Sequence, residues 1–250
     1  MNKLTLTLFL ALICTVGFAQ VLQIDSLPPQ GILLDKGWKW YAGDNPDFAK
    51  TDFDDYKWES IDPTKDIHDF PMLFDSKVRW LRLNFEVIQS PFQVLGLSVN
   101  QAGASEIYLN GKRIQTIGNI ATDQIKAQDP LEYPFYIPID SAGKYQLSVR
   151  YALQPNIHYT RVYGWTQNSL FRAKVVYLVP TQNIQREFRV YYTGLEIFKI
   201  GVLFMLFVLH LAFYFYQKNN KTHLFISLYF LGALFQYVFK IIGQNHLSFE

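Results

Sequence analysis

Hydrophobic and polar positions follow three rhythms along this chain. From Leu4 to Val16 there is no charge and the run is dominated by Leu; it follows Lys3 and ends in Gly17-Phe18-Ala19. A basic start, a short apolar stretch and a small-x-small end predict a secretory leader over residues 1–19, cut before Gln20. In the middle of the chain the period is two. Leu81, Leu83, Phe85 and Val87 alternate with Arg82, Asn84 and Glu86, the pattern of a half-buried strand with one wet face. Further short β-rich runs are Val94–Val99, Glu106–Leu109, Lys112–Ile117, Phe135–Ile139, Tyr145–Tyr151 and Phe171–Val179. Asn110-Gly111 falls between two of them, and this dipeptide predicts a hairpin because a type I′ turn needs positive φ at both central residues.

The third rhythm begins after Thr193. Ile200 to Tyr216 is seventeen residues without a charged side chain, and Leu224 to Phe239 is sixteen more. At 1.5 Å rise per residue, Ile197 to Tyr216 reaches about 30 Å, the usual hydrocarbon thickness. The eleven Leu, Ile, Val and Phe residues of Ile200 to Tyr216 contribute roughly −3 to −7 kcal/mol to insertion, against about +2.5 or less for an off-centre Lys199. Tyr191, Tyr192, Tyr214 and Tyr216 sit where an interfacial aromatic belt would form. The intervening loop carries Lys218 and Lys221 and no acid, which marks it as cytoplasmic.

These patterns predict a mainly β chain: an antiparallel β-sandwich followed by two transmembrane α-helices. The expected divisions are a leader at 1–19, a periplasmic sandwich at 20–180 and a stalk at 181–193. Helices at 194–216 and 224–243 follow, joined by a cytoplasmic loop at 217–223, and 244–250 begin an extracytoplasmic end. A pair of helices ending outside has no cytoplasmic output, so a longer membrane domain is expected. The stalk has no Gly or Pro and carries Ile184, Phe188 and Val190, a spacing that continues the first helix outward or packs on the sandwich.

Composition narrows the chemistry. Half of the 250 residues are hydrophobic, which excludes disorder for most of the chain, and a formal charge of +2 excludes a nucleic-acid-binding surface. The only cysteine is Cys14, inside the leader, so the mature chain has no disulfide, thiolate metal site or cysteine nucleophile. Charge is nonetheless uneven. Asp25 to Asp75 is net −7 and Ser76 to Thr193 net +6, from which pairing across the fold, separate solvation or a membrane-facing basic surface follows. Asp54-Asp55 are neighbours that would point to opposite strand faces, so turn or cap duty suits them better than catalysis. His68, His158, His210, His223 and His246 include no pair at metal-ligand spacing, and no phosphate loop or nucleophile elbow is present. No cofactor and no catalytic residue is therefore assigned. His210, within a span, is expected to hydrogen-bond a Tyr or Gln of the second span rather than relay protons.

The least strand-like stretch, Gln154 to Ser169, is crowded with rings and polar groups. Either it caps the sandwich or its rings face a ligand at one end. For the second reading Tyr163 and Trp165 supply stacking rings, with Arg161 and Asn168 the polar contacts.

Gly37-Trp38-Lys39-Trp40-Tyr41, Phe53-Asp54-Asp55-Tyr56-Lys57-Trp58, Arg79-Trp80-Leu81-Arg82 and Tyr108-Leu109-Asn110-Gly111-Lys112 together resemble the galactose-binding-like jelly roll of β-galactosidase-type enzymes. That resemblance implies that the Asp-rich motif turns the chain over a structural Trp58. Gly201 to Tyr216, the basic loop and Leu224 to Phe230 resemble the start of the seven-transmembrane receptors with diverse intracellular signalling modules. The two together imply a bacterial receptor of two-component type in the inner (cytoplasmic) membrane. Its sandwich would bind a periplasmic small molecule or carbohydrate, and its partners would be the lipid bilayer, an output kinase, phosphatase or cyclase, and in some arrangements a second copy. The alternative is a membrane-anchored carbohydrate-binding accessory domain of a glycoside-active enzyme.

Overall fold

The computed structural model describes residues 22–75, 77–121, 124–128, 130–157, 159 and 169–246. The expected leader lies outside them. Thirteen strands among these residues are followed by two helices: β1 Leu22–Ile24, β2 Ile32–Leu33, β3 Trp38–Ala42, β4 Glu59–Ser60, β5 Arg79–Val87, β6 Leu95–Gln101, β7 Ala104–Leu109, β8 Lys112–Ile117, β9 Asn119–Ala121, β10 Gln124–Lys126, β11 Phe135–Tyr136, β12 Gly143–Ala152 and β13 Phe171–Tyr177, then α1 Leu178–Tyr216 and α2 Thr222–His246. One sheet has the order β4-β3-β5-β12-β7-β8, with β1 running parallel to the second half of β5; the other has the order β11-β6-β13-β2. All other pairings in these two sheets are antiparallel.

The core lies between the sheets. Leu81, Leu83 and Phe85 of β5, Leu147 and Val149 of β12, and Ile107 of β7 meet Leu97 and Val99 of β6 and Phe171, Ala173 and Val175 of β13, all essentially without solvent contact. Each such aliphatic or aromatic side chain contributes about 1.5–3 kcal/mol by leaving water. Trp38 spans the layers, its ring edge-on to Phe171 at 5.8 Å, while its indole N–H donates to the Leu34 carbonyl at 2.7 Å. Between β7 and β8, Asn110 has φ 48° and Gly111 φ 79°, so the predicted hairpin turn forms with both residues left-handed.

The wet face expected on β5 is not uniformly wet. Asn84 is exposed, but Arg82 is 1 % exposed. The chain between β3 and β4 folds over it: Phe48, Ala49 and Trp58 pack with Trp80 on the outer face of the sheet, with Phe53 at their margin. The Arg82 guanidinium reaches Asp55 (Nε to Oδ2, 3.0 Å) and donates to the carbonyls of Phe48, Lys50 and Phe53. Lys39 Nζ meets the other Asp55 oxygen at 2.7 Å. Asp54 makes a turn, its Oδ1 accepting from Tyr56 N–H. The two acids thus divide their work, one turning the chain and one neutralising a buried cation. Burial pushes the Arg82 guanidinium below its usual value, and Asp55 opposes that shift. Asp44 is likewise held below the ordinary carboxylate value by two hydrogen bonds from Arg150, each 2.7 Å. These ion pairs join the acidic and basic halves of the sequence across the fold.

Two strands are shorter than their patterns. The run Phe135–Ile139 ends as a strand at Tyr136, because Pro138 has no N–H to extend the ladder. Phe171–Val179 ends at Tyr177, where α1 begins directly. Pro180 does not separate strand from helix; it occupies the third helical position, in a first turn whose N–H groups have no intrahelical acceptor.

Candidate functional site

Of the predicted recognition residues, Arg161, Tyr163, Trp165 and Asn168 lie outside the described residues, as does His158. What is described is how the two roots of their loop are fixed. On the leaving side, the Tyr159 hydroxyl accepts from Gln154 N–H at 3.1 Å and donates back to the Gln154 carbonyl at 3.4 Å, while Gln154 Oε1 accepts from Ala127 N–H at 2.8 Å. Burial pushes the Tyr159 phenol above its ordinary value, and the bond to Gln154 partly offsets this. On the returning side Ser169 bridges Asp66, Leu170 N–H donates to Lys65 O at 3.0 Å, and Phe171 N–H donates to Pro63 O at 2.8 Å.

The segment that receives the loop is the short helical turn Ile67–Asp69, capped by Asp66. His68 links the two sides. Its Nδ1 lies 2.5 Å from Asp66 Oδ1 and its Nε2 2.7 Å from the Tyr159 carbonyl. Both partners are acceptors, so both contacts are hydrogen bonds only when the ring carries both protons. Phe74 packs against both His68 and Tyr159. Metal-ligand spacing does not single out Asp66 and His68; their local signal is the Asp-x-His pair, in which an Asx turn brings carboxylate and imidazole together. This end of the sandwich therefore offers a held loop base with aromatic and charged margins. Among the described residues, no three His, Cys, Asp or Glu side chains gather to hold a metal ion.

At another margin of the sandwich the membrane-type helices start. Leu178 N–H donates to Val94 O at 2.9 Å. Leu178 also lies over Gly96, where a Cβ would come within 2.9 Å of its Cδ1, so the glycine makes room for the helix. One turn on, Gln182 Nε2 donates to the Pro134 carbonyl at 3.1 Å, and about two turns further the Arg189 guanidinium lies over the Tyr133 ring at 5.5 Å. The stretch 181–193 is thus helical and continuous with the apolar segment. The 39 residues of α1 extend about 58 Å, roughly 28 Å more than a bilayer core.

Both helices are long and apolar enough to cross a membrane. They pack as a hairpin, and His210 finds its partner at the start of α2: His210 Nδ1 and His223 Nδ1 are 3.0 Å apart, with Phe230 stacked on His210. An interhelical hydrogen bond was expected, but with Tyr or Gln. The tight turn at 217–221 instead sets His223 level with His210, which no spacing rule for a single helix foresees.

No family model matches the chain, and no curated protein matches it. Solved structures similar to it include a β-glycosidase from Bacteroides vulgatus (16% identity over 58% of this chain and 20% of that one, TM-score 0.33). Another is a β-glucuronidase from Bacteroides uniformis (20% identity, 57% and 17%, TM-score 0.38). A third is a β-glucosidase from Kluyveromyces marxianus (15% identity, 64% and 19%, TM-score 0.34). The chain spans about a fifth of the length of these proteins.

Proposed function

We propose that this chain is the sensory and first transmembrane portion of a bacterial signal-transduction receptor. In this reading the sandwich is periplasmic and the helix pair lies in the cytoplasmic membrane. The observation that supports it is the joint: β13 becomes α1 with no intervening residue, and the helix is fastened to the sandwich at Val94, Pro134 and Tyr133. A flexible tether would suffice to anchor a domain; a fastened helix suits one that must pass on a change of shape. The ligand is a small molecule or carbohydrate held by Arg161, Tyr163, Trp165 and Asn168. A stacking ring covers the apolar C–H face of a sugar, and guanidinium and amide groups meet its hydroxyls. Output passes to a cytoplasmic kinase, phosphatase or cyclase module.

The test uses the chain reconstituted in nanodiscs and a broad glycan array. For each glycan bound, hydrogen exchange of the amides of 181–193 is compared with and without it. Changed protection there, lost when a Gly/Ser segment is inserted after Gln185, supports the receptor. Binding with no change in the stalk favours the membrane-anchored carbohydrate-binding module instead, and binding of no glycan removes the carbohydrate class.

A further inference from the structure

We propose that two copies of this chain pair in parallel along one face of α1, through a seam formed by Ile184, Phe188, Tyr191, Leu195, Phe198 and Val202. The inference goes beyond the receptor reading, since it needs no ligand and no output module; it requires only that α1 enters a membrane.

The seam is visible first as spacing. Its six positions are separated by four, three, four, three and four residues, the a/d repeat of a left-handed coiled coil. In the first half of the seam, the residues between these positions are Gln185, Arg186, Glu187, Arg189, Val190, Tyr192, Thr193 and Gly194, which are mostly polar. Three charges, at Arg186, Glu187 and Arg189, place this half in water or among headgroups rather than hydrocarbon, so lipid does not account for its apolar face.

The chain itself leaves five of the six seam residues open, Leu195 being half-buried. Ile184, Phe188, Tyr191, Phe198 and Val202 are 41 to 69 % exposed. Contacts with α2 are made by a different face, through His210 to His223 and Lys199 over Tyr237. A second observation lies beside the seam. Gly194 and Gly201 are seven residues apart, each preceding a seam position, and a Cβ built on either meets nothing within 4 Å. Glycine inside a helix costs about 0.5–1 kcal/mol relative to alanine, and no intrachain packing offsets that cost here. Small residues beside an apolar seam allow a neighbouring helix backbone to come close.

A second copy fits this face better than a foreign helix does. Two copies inserted in the same direction are parallel, so the seam meets itself at the same height and in the same heptad phase, under a two-fold axis along the membrane normal. From ring areas of about 150–250 Å² and the exposures above, the six side chains would cover roughly 600 Å² per copy, close to the ~800 Å² typical of a stable interface. The repeat continues into the span at Met205 and Leu209.

The experiment is cysteine scanning of the whole chain in its native membrane, in a Cys14→Ser background that removes the only thiol. Single substitutions at Phe188, Tyr191 and Leu195 are compared with Arg186 and Thr193, which the repeat puts on the far side. Disulfide formation requires Cα atoms within about 7 Å. The expected result is oxidised dimer at the seam positions, at least tenfold above the far positions, and loss of most of it when Gly194 and Gly201 are both changed to Leu. Absence of dimer at every seam position, equal cross-linking at Arg186→Cys and Thr193→Cys, or seam cross-links to a different protein would each overturn the proposal.

Discussion

Asp55→Asn removes the charge that neutralises Arg82 and leaves an enclosed cation with carbonyls and the Phe53 and Trp58 ring faces but no anionic partner. The guanidinium is 1 % exposed and the Asp55 side chain 11 %, so water cannot replace the lost carboxylate without opening the Phe48, Phe53 and Trp58 layer. Breaking one side of a buried pair costs about 3–5 kcal/mol. The three carbonyl acceptors remain, which argues for the lower end. At about 2–4 °C per kcal/mol for a domain of this size, the melting midpoint should fall by roughly 6–12 °C. Arg82→Lys should be nearly as harmful, because an ammonium cannot reach Asp55 and three divergent carbonyls at once. Near-ultraviolet circular dichroism of the detergent-solubilised chain reads the transition, and the part of the tryptophan emission lost in a Trp58→Phe control reads local opening of the layer. The double variant Asp55→Asn with Arg82→Met should lose less than the two single effects added, since the enclosed charge is gone and only the part-exposed Lys39 loses its carboxylate. A drop below about 2 °C for Asp55→Asn would refute the reasoning, showing that backbone carbonyls alone satisfy Arg82.

Two further outcomes are expected. Asp44 has a folded-state value below its unfolded one because of Arg150, so its contribution is present above the unfolded value of about 3.9 and is lost as pH falls through the folded one; Asp44→Asn should lower the melting temperature at neutral pH, and the gap to the unaltered chain should close in acid. If the gap persists unchanged at low pH, the pair is not the cause. On spheroplasts, a membrane-impermeant thiol reagent should label Lys112→Cys and spare Asn219→Cys; labelling of both, or of position 219 alone, would end the proposed orientation.

The sequence shows most where side chains alternate strictly. Strand β5 was legible because four apolar residues at period two admit one face, and the hairpin because Asn110-Gly111 permits few other backbones. The short strands β1, β2, β9 and β10 were not, since two or three residues establish no period; β1 and β2 are held by strands distant in sequence, and β9 and β10 by each other. Arg82 misled for a related reason: polarity predicts a wet face only if no other segment covers it, and the covering segment, 48–58, is held by Arg82 itself through Asp55. At the loop, the ring-rich composition was legible, while its anchoring was not. Asp66 and Tyr159 lie 93 residues apart around His68, and nothing local announces that an imidazole will sit between them.

The joint also limits how a signal could travel. β13 is an inner strand of its sheet, paired with β6 along all seven residues and with β2 at Lys174 and Val175. Sliding α1 along its axis by the ~3.3 Å of one strand residue would drag β13 out of register, and a one-residue slip turns every side chain to the wrong face, expelling Phe171, Ala173 and Val175 from the core. That motion is closed to a folded sandwich. Pivoting about Tyr177 and Leu178 breaks far less. It strains the Leu178 to Val94 hydrogen bond and the Gln182 and Arg189 contacts, each a single polar or cation-to-ring interaction of about 0.5–1.5 kcal/mol. A change at the sandwich would therefore reach the membrane as tilt or rotation of α1. If two copies pair along the proposed seam, a tilt amplified over the roughly 28 Å by which α1 exceeds a bilayer core would change the spacing between them far more than it changes the joint.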